Sequence, residues 1–184
     1  MLYPNKISKN HPKQTIHANR GMTLESMIND SNKYYLDNDV ALIYKKPTPI
    51  GTVKVSYENN KKIIKKAYFK EQSTLDYNGI YRGKYIEFEA KETTSKTSFP
   101  LSNIHDHQIM TIRNVLHHGG ICFIILSMNG LIYLIKGEDF IKYIDTNERK
   151  SVAYDYIKEV GRVIKIGYAP ICDYLSIVDC VYNI

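Results

Sequence analysis

A chain of 184 residues is most simply one domain, long enough to bury a core of its own. Lys and Arg total 25 against 19 Asp and Glu, a formal charge of +6, and the excess is gathered in two places: Lys6, Lys9, Lys13 and Arg20 precede the first acid, Glu25, and a second run from Lys45 to Lys70 is broken only by Glu58. Such clusters mark a polyanion partner or a lysine-rich solvated surface, while three cysteines without paired spacing and no stretch of membrane-spanning length argue against a disulfide or zinc framework and a membrane protein, and for the cytoplasm.

Residues 1–19 mix Pro, Asn, His and Lys without periodicity and are expected to form a flexible basic arm, able to wrap a nucleic acid or simply an inert terminus. Residues 20–184 then make up the single domain. From Gly21 to Asn38, Leu24, Met27, Ile28, Tyr34 and Tyr35 recur at helical spacing and predict a helix. Glu25, in its first turns, reads either as an acid favoured near a helix N-terminus or as a further acidic group aimed at the site described below. Val40 to Tyr44 is a short apolar strand. Lys45-Lys46-Pro47-Thr48-Pro49 then takes the chain out of the sheet, because two prolines so placed cannot sit in a central ladder. Alternating Val53, Val55 and Tyr57, a turn at Glu58-Asn59-Asn60 and a return from Ile63 to Phe69 predict a narrow β projection over about 47–69, studded with Lys54, Lys61, Lys62, Lys65, Lys66 and Lys70. So thin an apolar seam buries little, and the projection's stability is expected to depend on a partner or on dimerisation.

Thr74 to Thr93 organises the rest. With period two it reads as two strands turning at Arg82-Gly83. Ile86, Phe88 and Ala90 face a core, and Glu87, Glu89 and Lys91 face the other way; on the first strand Thr74, Asp76 and Asn78 share a face. Asp76 and Glu89 held close together repel in low dielectric, and a divalent cation removes that cost. Mg²⁺ suits such a pair, since it takes one or two carboxylates together with waters and phosphate oxygens. Lys91, on the same face, is placed to orient a water or to neutralise charge on a phosphoryl group. An Asp followed on the next strand by Glu-x-Lys resembles the arrangement of the PD-(D/E)xK nucleases, although the same pattern also describes a merely solvated face.

Ser95 to Asn103 reads as a loop. His105 to His118 carries Ile109, Ile112, Val115 and Leu116 on one face and stops at Gly119-Gly120, as a helix does. Gln108 flanks that face in the first turn, placed to reach a neighbouring strand end. His105 and His107, two residues apart, are expected to diverge on a helix and to serve as surface or phosphate-contacting groups. Ile121 to Ser127 is a strand buried on both faces, turned at Asn129-Gly130 into Leu131–Ile135. Gly137 to Ile144 is a short helix, 145–151 a polar loop, and Ile171 to Tyr182 a closing helix. The whole predicts a mixed sheet flanked by helices.

These residues carry a family resemblance. The islands Asn19-Arg20-Gly21-Met22-Thr23-Leu24-Glu25, Lys45-Lys46-Pro47-Thr48-Pro49, Ala67-Tyr68-Phe69-Lys70, Asp76-Tyr77-Asn78-Gly79, Phe88-Glu89-Ala90-Lys91-Glu92-Thr93, Phe99-Pro100-Leu101, His107-Gln108, Gly167-Tyr168 and Asp173-Tyr174 resemble, in order and over nearly the whole length, the RecU family of Holliday junction resolvases. The resemblance implies an α/β, restriction-endonuclease-like fold, a homodimer, and a β stalk rising into the centre of a four-way junction. It implies Mg²⁺, with Mn²⁺ as a substitute, held by Thr74, Asp76, Glu89 and Gln108, and Lys91 stabilising the transition state. Arg20, Lys45, Lys46, Lys61, Lys62, Lys65, Lys66 and Lys70 would contact DNA, and Glu25 would be an additional acidic site residue. The implied reaction is resolution of junctions by paired symmetric nicks with 5′-phosphate ends, during homologous recombination and DNA repair, alongside recombinase and branch-migration partners. Two other readings stand beside it: a related nuclease on another DNA substrate, and a non-catalytic DNA-binding protein that modulates a recombinase.

Overall fold

The computed structural model describes residues 21–70 and 74–184; the basic arm and Arg20 lie outside the described residues. Along the chain come α1 (Leu24–Asp37), β1 (Leu42–Lys45), β2 (Ile50–Glu58), β3 (Lys61–Phe69), β4 (Tyr77–Tyr81), β5 (Lys84–Glu92) and β6 (Ser98–Pro100). After them come α2 (Asp106–His117), β7 (Ile121–Met128), β8 (Leu131–Lys136), α3 (Gly137–Thr146), β9 (Ser151–Ala153), α4 (Tyr154–Val160), β10 (Arg162–Ile164) and α5 (Tyr174–Tyr182). Six strands form one sheet in the order β1-β4-β5-β7-β8-β10, in which β5 and β7 run parallel and every other neighbouring pair is antiparallel.

Side-chain parity along β7 divides the core. Ile121, Phe123 and Ile125 pack with Ile86 and Phe88 beneath α1 and α5, whereas Cys122, Ile124, Leu126 and Met128 face α2, α3 and α4. The expected mixed sheet flanked by helices is therefore the one observed, with the doubly buried strand at its centre. On the α1 face Phe88 is fully buried, with Tyr77 stacked at 4.8 Å and Phe123 at 4.7 Å. Phe88→Ala empties the middle of that stack, and a loss of about 3–5 kcal/mol is expected in urea denaturation; a loss below about 1.5 kcal/mol would contradict the packing described.

Turn chemistry sets the hairpins. At Arg82-Gly83, Asn59-Asn60 and Asn129-Gly130 both central residues have positive φ, the condition for tight two-residue turns that follow the strands' own twist. Gly79 allows β1 and β4 to approach, since a Cβ there would stand 2.0 Å from the Leu42 carbonyl oxygen. Beyond Lys45 the chain leaves the sheet at Pro47 and Pro49, and β2 and β3 pair only with each other as the projecting ribbon. All of β3 is exposed, including Ile63, Ile64, Tyr68 and Phe69.

Four short elements differ from the sequence expectation. The expected loop at Ser95–Asn103 contains β6, which pairs with β9, a strand that starts at the last residue of the expected polar loop. α4 and β10 follow in a stretch to which no element was assigned. The closing helix begins at Tyr174 rather than Ile171, because the 166–172 segment closes on itself through an Ile166–Cys172 bridge. Three-residue strands hold too little periodicity to register; their partners, distant in sequence, define them.

Candidate active site

β4 and β5 bring the two acids together. Their register pairs Tyr77 with Phe88 and Asn78 with Glu87, so its continuation sets Asp76 opposite Glu89. The Asp76 N–H donates to Glu89 Oε2 at 3.1 Å. Glu89 is fully buried, and Lys91 Nζ stands 2.9 Å from its Oε1. That approach is out of hydrogen-bonding geometry, and Oε1 has no hydrogen-bond donor among the described residues. Burial first, and the Asp76 charge second, push the Glu89 carboxyl up to about 7, against the opposing pull of Lys91.

Asp76, Glu89, Lys91 and Gln108 line one hollow of about 370 Å³. The foot of the ribbon completes it: Thr48 and Lys70 line it too, as does Lys45 from the end of β1, and the Lys70 N–H donates to the carbonyl of Pro49, next to Thr48, at 2.9 Å. Gln108 is buried and its Oε1 accepts from the His105 N–H at 3.0 Å, which fixes the amide at the start of α2. His105 and His107 border the same hollow, and they do not diverge. His105 is the N-cap, in extended backbone, so the pair spans the helix boundary and the rings stack at 5.5 Å.

The other expected site residues are placed as follows. Thr74 precedes β4 in irregular backbone and lines a neighbouring hollow with Glu87, Tyr85, Thr111, Asn114 and His118, not the one that holds Asp76. Glu25, in the first turn of α1, pairs with Lys45 at 2.7 Å and borders a third hollow with Asp76 and Glu92, whose carboxylate accepts from the Leu24 N–H. Lys46 is turned inward, its side chain 19% exposed and its ammonium 2.5 Å from Glu87 Oε1. Lys61, Lys62 and Lys66 are exposed along the ribbon, and Lys65 pairs with Glu58 near its tip. Neither Glu87 nor Thr48 was given a role from sequence. Glu87 shares the parity of Glu89, which is the signal that was available.

The residues present fit a hard divalent cation. No three His, Cys, Asp or Glu side chains cluster as a cage among the described residues. Two carboxylates and an amide instead converge on a hollow with room for water and phosphate, the donor set Mg²⁺ prefers. The buried Glu89 Oε1, which faces the Lys91 ammonium but has no hydrogen-bond donor among the described residues, is the oxygen such an ion would engage. No helix among the described residues is long and apolar enough to cross a membrane.

Comparison with known proteins adds four findings. The family model described as "Recombination protein U" matches residues 19–180. The chain is 49% identical over 170 residues to the Holliday junction resolvase RecU of Bacillus subtilis (strain 168), covering 90% of this chain and 82% of that protein. It is 49% identical over 177 residues to the Holliday junction resolvase RecU of Geobacillus sp. (strain WCH70), covering 93% and 88%. Among solved structures it is similar to Hjc, a Holliday junction resolvase of Archaeoglobus fulgidus, with a TM-score of 0.42 and 6% identity over 72% of this chain and 91% of that one.

Proposed function

The chain belongs to the recombination protein U (RecU) family, and from that premise we propose that it is a structure-selective, Mg²⁺-dependent endonuclease that resolves Holliday junctions. The observation that carries this reading is the meeting of Asp76 and a buried Glu89, whose Oε1 faces the Lys91 ammonium without a hydrogen-bond donor, in a hollow closed by the foot of a lysine-rich ribbon.

Asp76 and Glu89 would hold the ion through carboxylate oxygens and Gln108 through its amide oxygen; Thr74, bordering the next hollow, is assigned no direct ligand role. A bound Mg²⁺, or Mn²⁺ in its place, supplies Lewis-acid polarisation of the scissile phosphate. Lys91 lies close enough to Glu89 to share the hollow, and it orients a water or donates to a non-bridging oxygen as charge develops there. Water attacks phosphorus, the bond to O3′ breaks, and the leaving oxygen takes up a proton, giving a 3′-hydroxyl and a 5′-phosphate. Lys45 and Lys70 line the hollow to receive flanking phosphates, while Lys61, Lys62, Lys65 and Lys66 meet the junction's backbone from the ribbon with little sequence preference.

Two symmetric nicks require two such sites, and a two-fold homodimer provides them. Supporting this pairing is an apolar strip on the edge strand and its neighbour, where Leu42 and Ile80 are cross-strand partners, both about half exposed, with Tyr44 and Tyr85 nearby and also exposed. The setting is cytoplasmic recombination and repair, next to a recombinase and branch-migration proteins.

The test compares a synthetic four-way junction with linear duplex of the same sequence, in Mg²⁺ and in EDTA. Paired nicks in the junction only, and only with the metal, are expected; equal cutting of duplex moves the assignment to another nuclease class, and no cutting removes it. The state of Glu89 adds a pH signature. A metal ion must displace the Glu89 proton, so Mn²⁺ affinity measured by calorimetry is expected to fall about tenfold for each pH unit below about 7 and to level off above it. A flat profile from pH 5.5 to 8 would contradict a ligand role for Glu89.

A further inference from the structure

Leu75 and Asp76 lie beyond the ladder. β4 begins at Tyr77 and its partner β1 ends at Lys45, so no strand pairing fixes the residues that carry the first acid. Three hydrogen bonds do so directly, and a fourth anchors Lys46, which makes one of them. The Lys46 N–H donates to the Asp76 carbonyl at 2.7 Å, and the Asp76 N–H to Glu89 Oε2 at 3.1 Å. The Leu75 N–H donates to Glu87 Oε1 at 3.1 Å, and Lys46 Nζ to the same oxygen at 2.5 Å. Two of the four end on Glu87, a buried carboxylate whose other oxygen accepts from the Tyr85 hydroxyl at 2.6 Å.

The contrast with Glu89, two residues on and on the same face of β5, is informative. Glu87 has three donors, one of them the Lys46 ammonium; Glu89 has one, the Asp76 N–H on Oε2, and its buried Oε1 meets the Lys91 ammonium at 2.9 Å but has no hydrogen-bond donor among the described residues. Glu87 also borders the neighbouring hollow rather than the one lined by Asp76, Glu89 and Lys91. One acid is thus spent on the protein and the other is left for a cation. We propose that Glu87, together with Lys46, is a positioning residue that holds the Leu75–Asp76 lead-in so that the Asp76 carboxylate meets Glu89 at the metal site. Groups behind a metal's direct ligands commonly set its affinity by 10–100-fold. This assignment rests on the metal-dependent nuclease reading. It also gives Lys46 a duty other than the phosphate contact expected of it.

Glu87→Gln keeps an oxygen for the Leu75 N–H and loses the charge for Lys46; Glu87→Ala loses both. The experiment measures Mn²⁺ affinity by calorimetry without DNA, junction affinity in EDTA, cleavage rate against Mn²⁺ concentration, and hydrogen exchange at the Leu75 and Asp76 amides. Expected results are Mn²⁺ affinity down about 10–100-fold in Glu87→Ala and by less in Glu87→Gln, and faster exchange at the two amides in Glu87→Ala. Junction affinity should be unchanged, and the rate at saturating Mn²⁺ within about threefold of wild type. Mn²⁺ affinity within twofold of wild type in a folded variant overturns the proposal, as does a rate that stays low at saturating metal, which would put Glu87 in the reaction itself. If Glu87→Ala does not fold, Glu87→Gln alone decides by the same two criteria. Failure of wild type to bind Mn²⁺ or to cut would instead sink the nuclease reading, so the two failures are distinguishable.

Discussion

Asp76→Asn should cut four-way junctions at least about a thousandfold more slowly than wild type, a loss of about 4 kcal/mol of transition-state stabilisation, while binding them as tightly in EDTA. The substitution is nearly isosteric at a half-buried position. The backbone N–H that donates to Glu89 and the carbonyl that accepts from Lys46 both remain, so the fold has no reason to change. What disappears is one of the two carboxylates that converge on the hollow, and a hard cation held by a single acid is held weakly. The same change withdraws the second-largest influence raising the Glu89 carboxyl, whose pKa should fall from about 7. Ribbon lysines are untouched, which is why binding should survive. Gel-shift and cleavage assays on one preparation separate the two effects; cleavage within tenfold of wild type would remove Asp76 from the site.

The residues of that hollow were legible in sequence to unequal degrees. Asp76, Glu89 and Lys91 emerged from period-two parity, because β4 and β5 are joined by a two-residue turn that sets their register and hence which side chains meet. The ribbon emerged from its prolines. Gln108 was visible as a polar residue at a helix start, but its aim depends on how α2 packs on the sheet, and only the resemblance drew it into the site. Thr74 shows the limit of parity: Asp76 and Thr74 both precede β4, but Asp76 is one residue from the strand and held by Glu89 and Lys46, whereas Thr74, two residues further out, lines the neighbouring hollow. Lys46 shows the limit of charge counting. A lysine in a basic run reads as a phosphate contact until a buried carboxylate 41 residues away claims its ammonium. The small strands β6, β9 and β10 owe their existence to distant partners, which local sequence does not encode.

Glu89→Gln is expected to abolish cleavage and at the same time stabilise the metal-free protein at pH 8. In the absence of metal Glu89 is a buried acid facing Asp76, with an ordinary value of 4.5 raised to about 7. A folded-state pKa above the unfolded one means that the native state binds the proton more tightly. The corresponding stability is complete below about pH 4.5 and is lost as pH rises through about 7. Wild type without metal therefore weakens across that window, and at pH 8 it carries a buried charge whose attraction to Lys91 does not fully offset its desolvation. Glutamine carries no such charge, and its oxygen can still accept from the Asp76 N–H. Urea denaturation in EDTA should find the variant more stable by about 1–3 kcal/mol at pH 8, with the difference vanishing near pH 5 where wild-type Glu89 is protonated. Added Mg²⁺ should reverse the order, stabilising wild type and leaving the variant unmoved, because binding to the native state alone raises its stability. A variant less stable than wild type at pH 8, or an advantage equally large at pH 5, would mean that this carboxylate is a structural element of the sheet rather than one held at a cost for a cation.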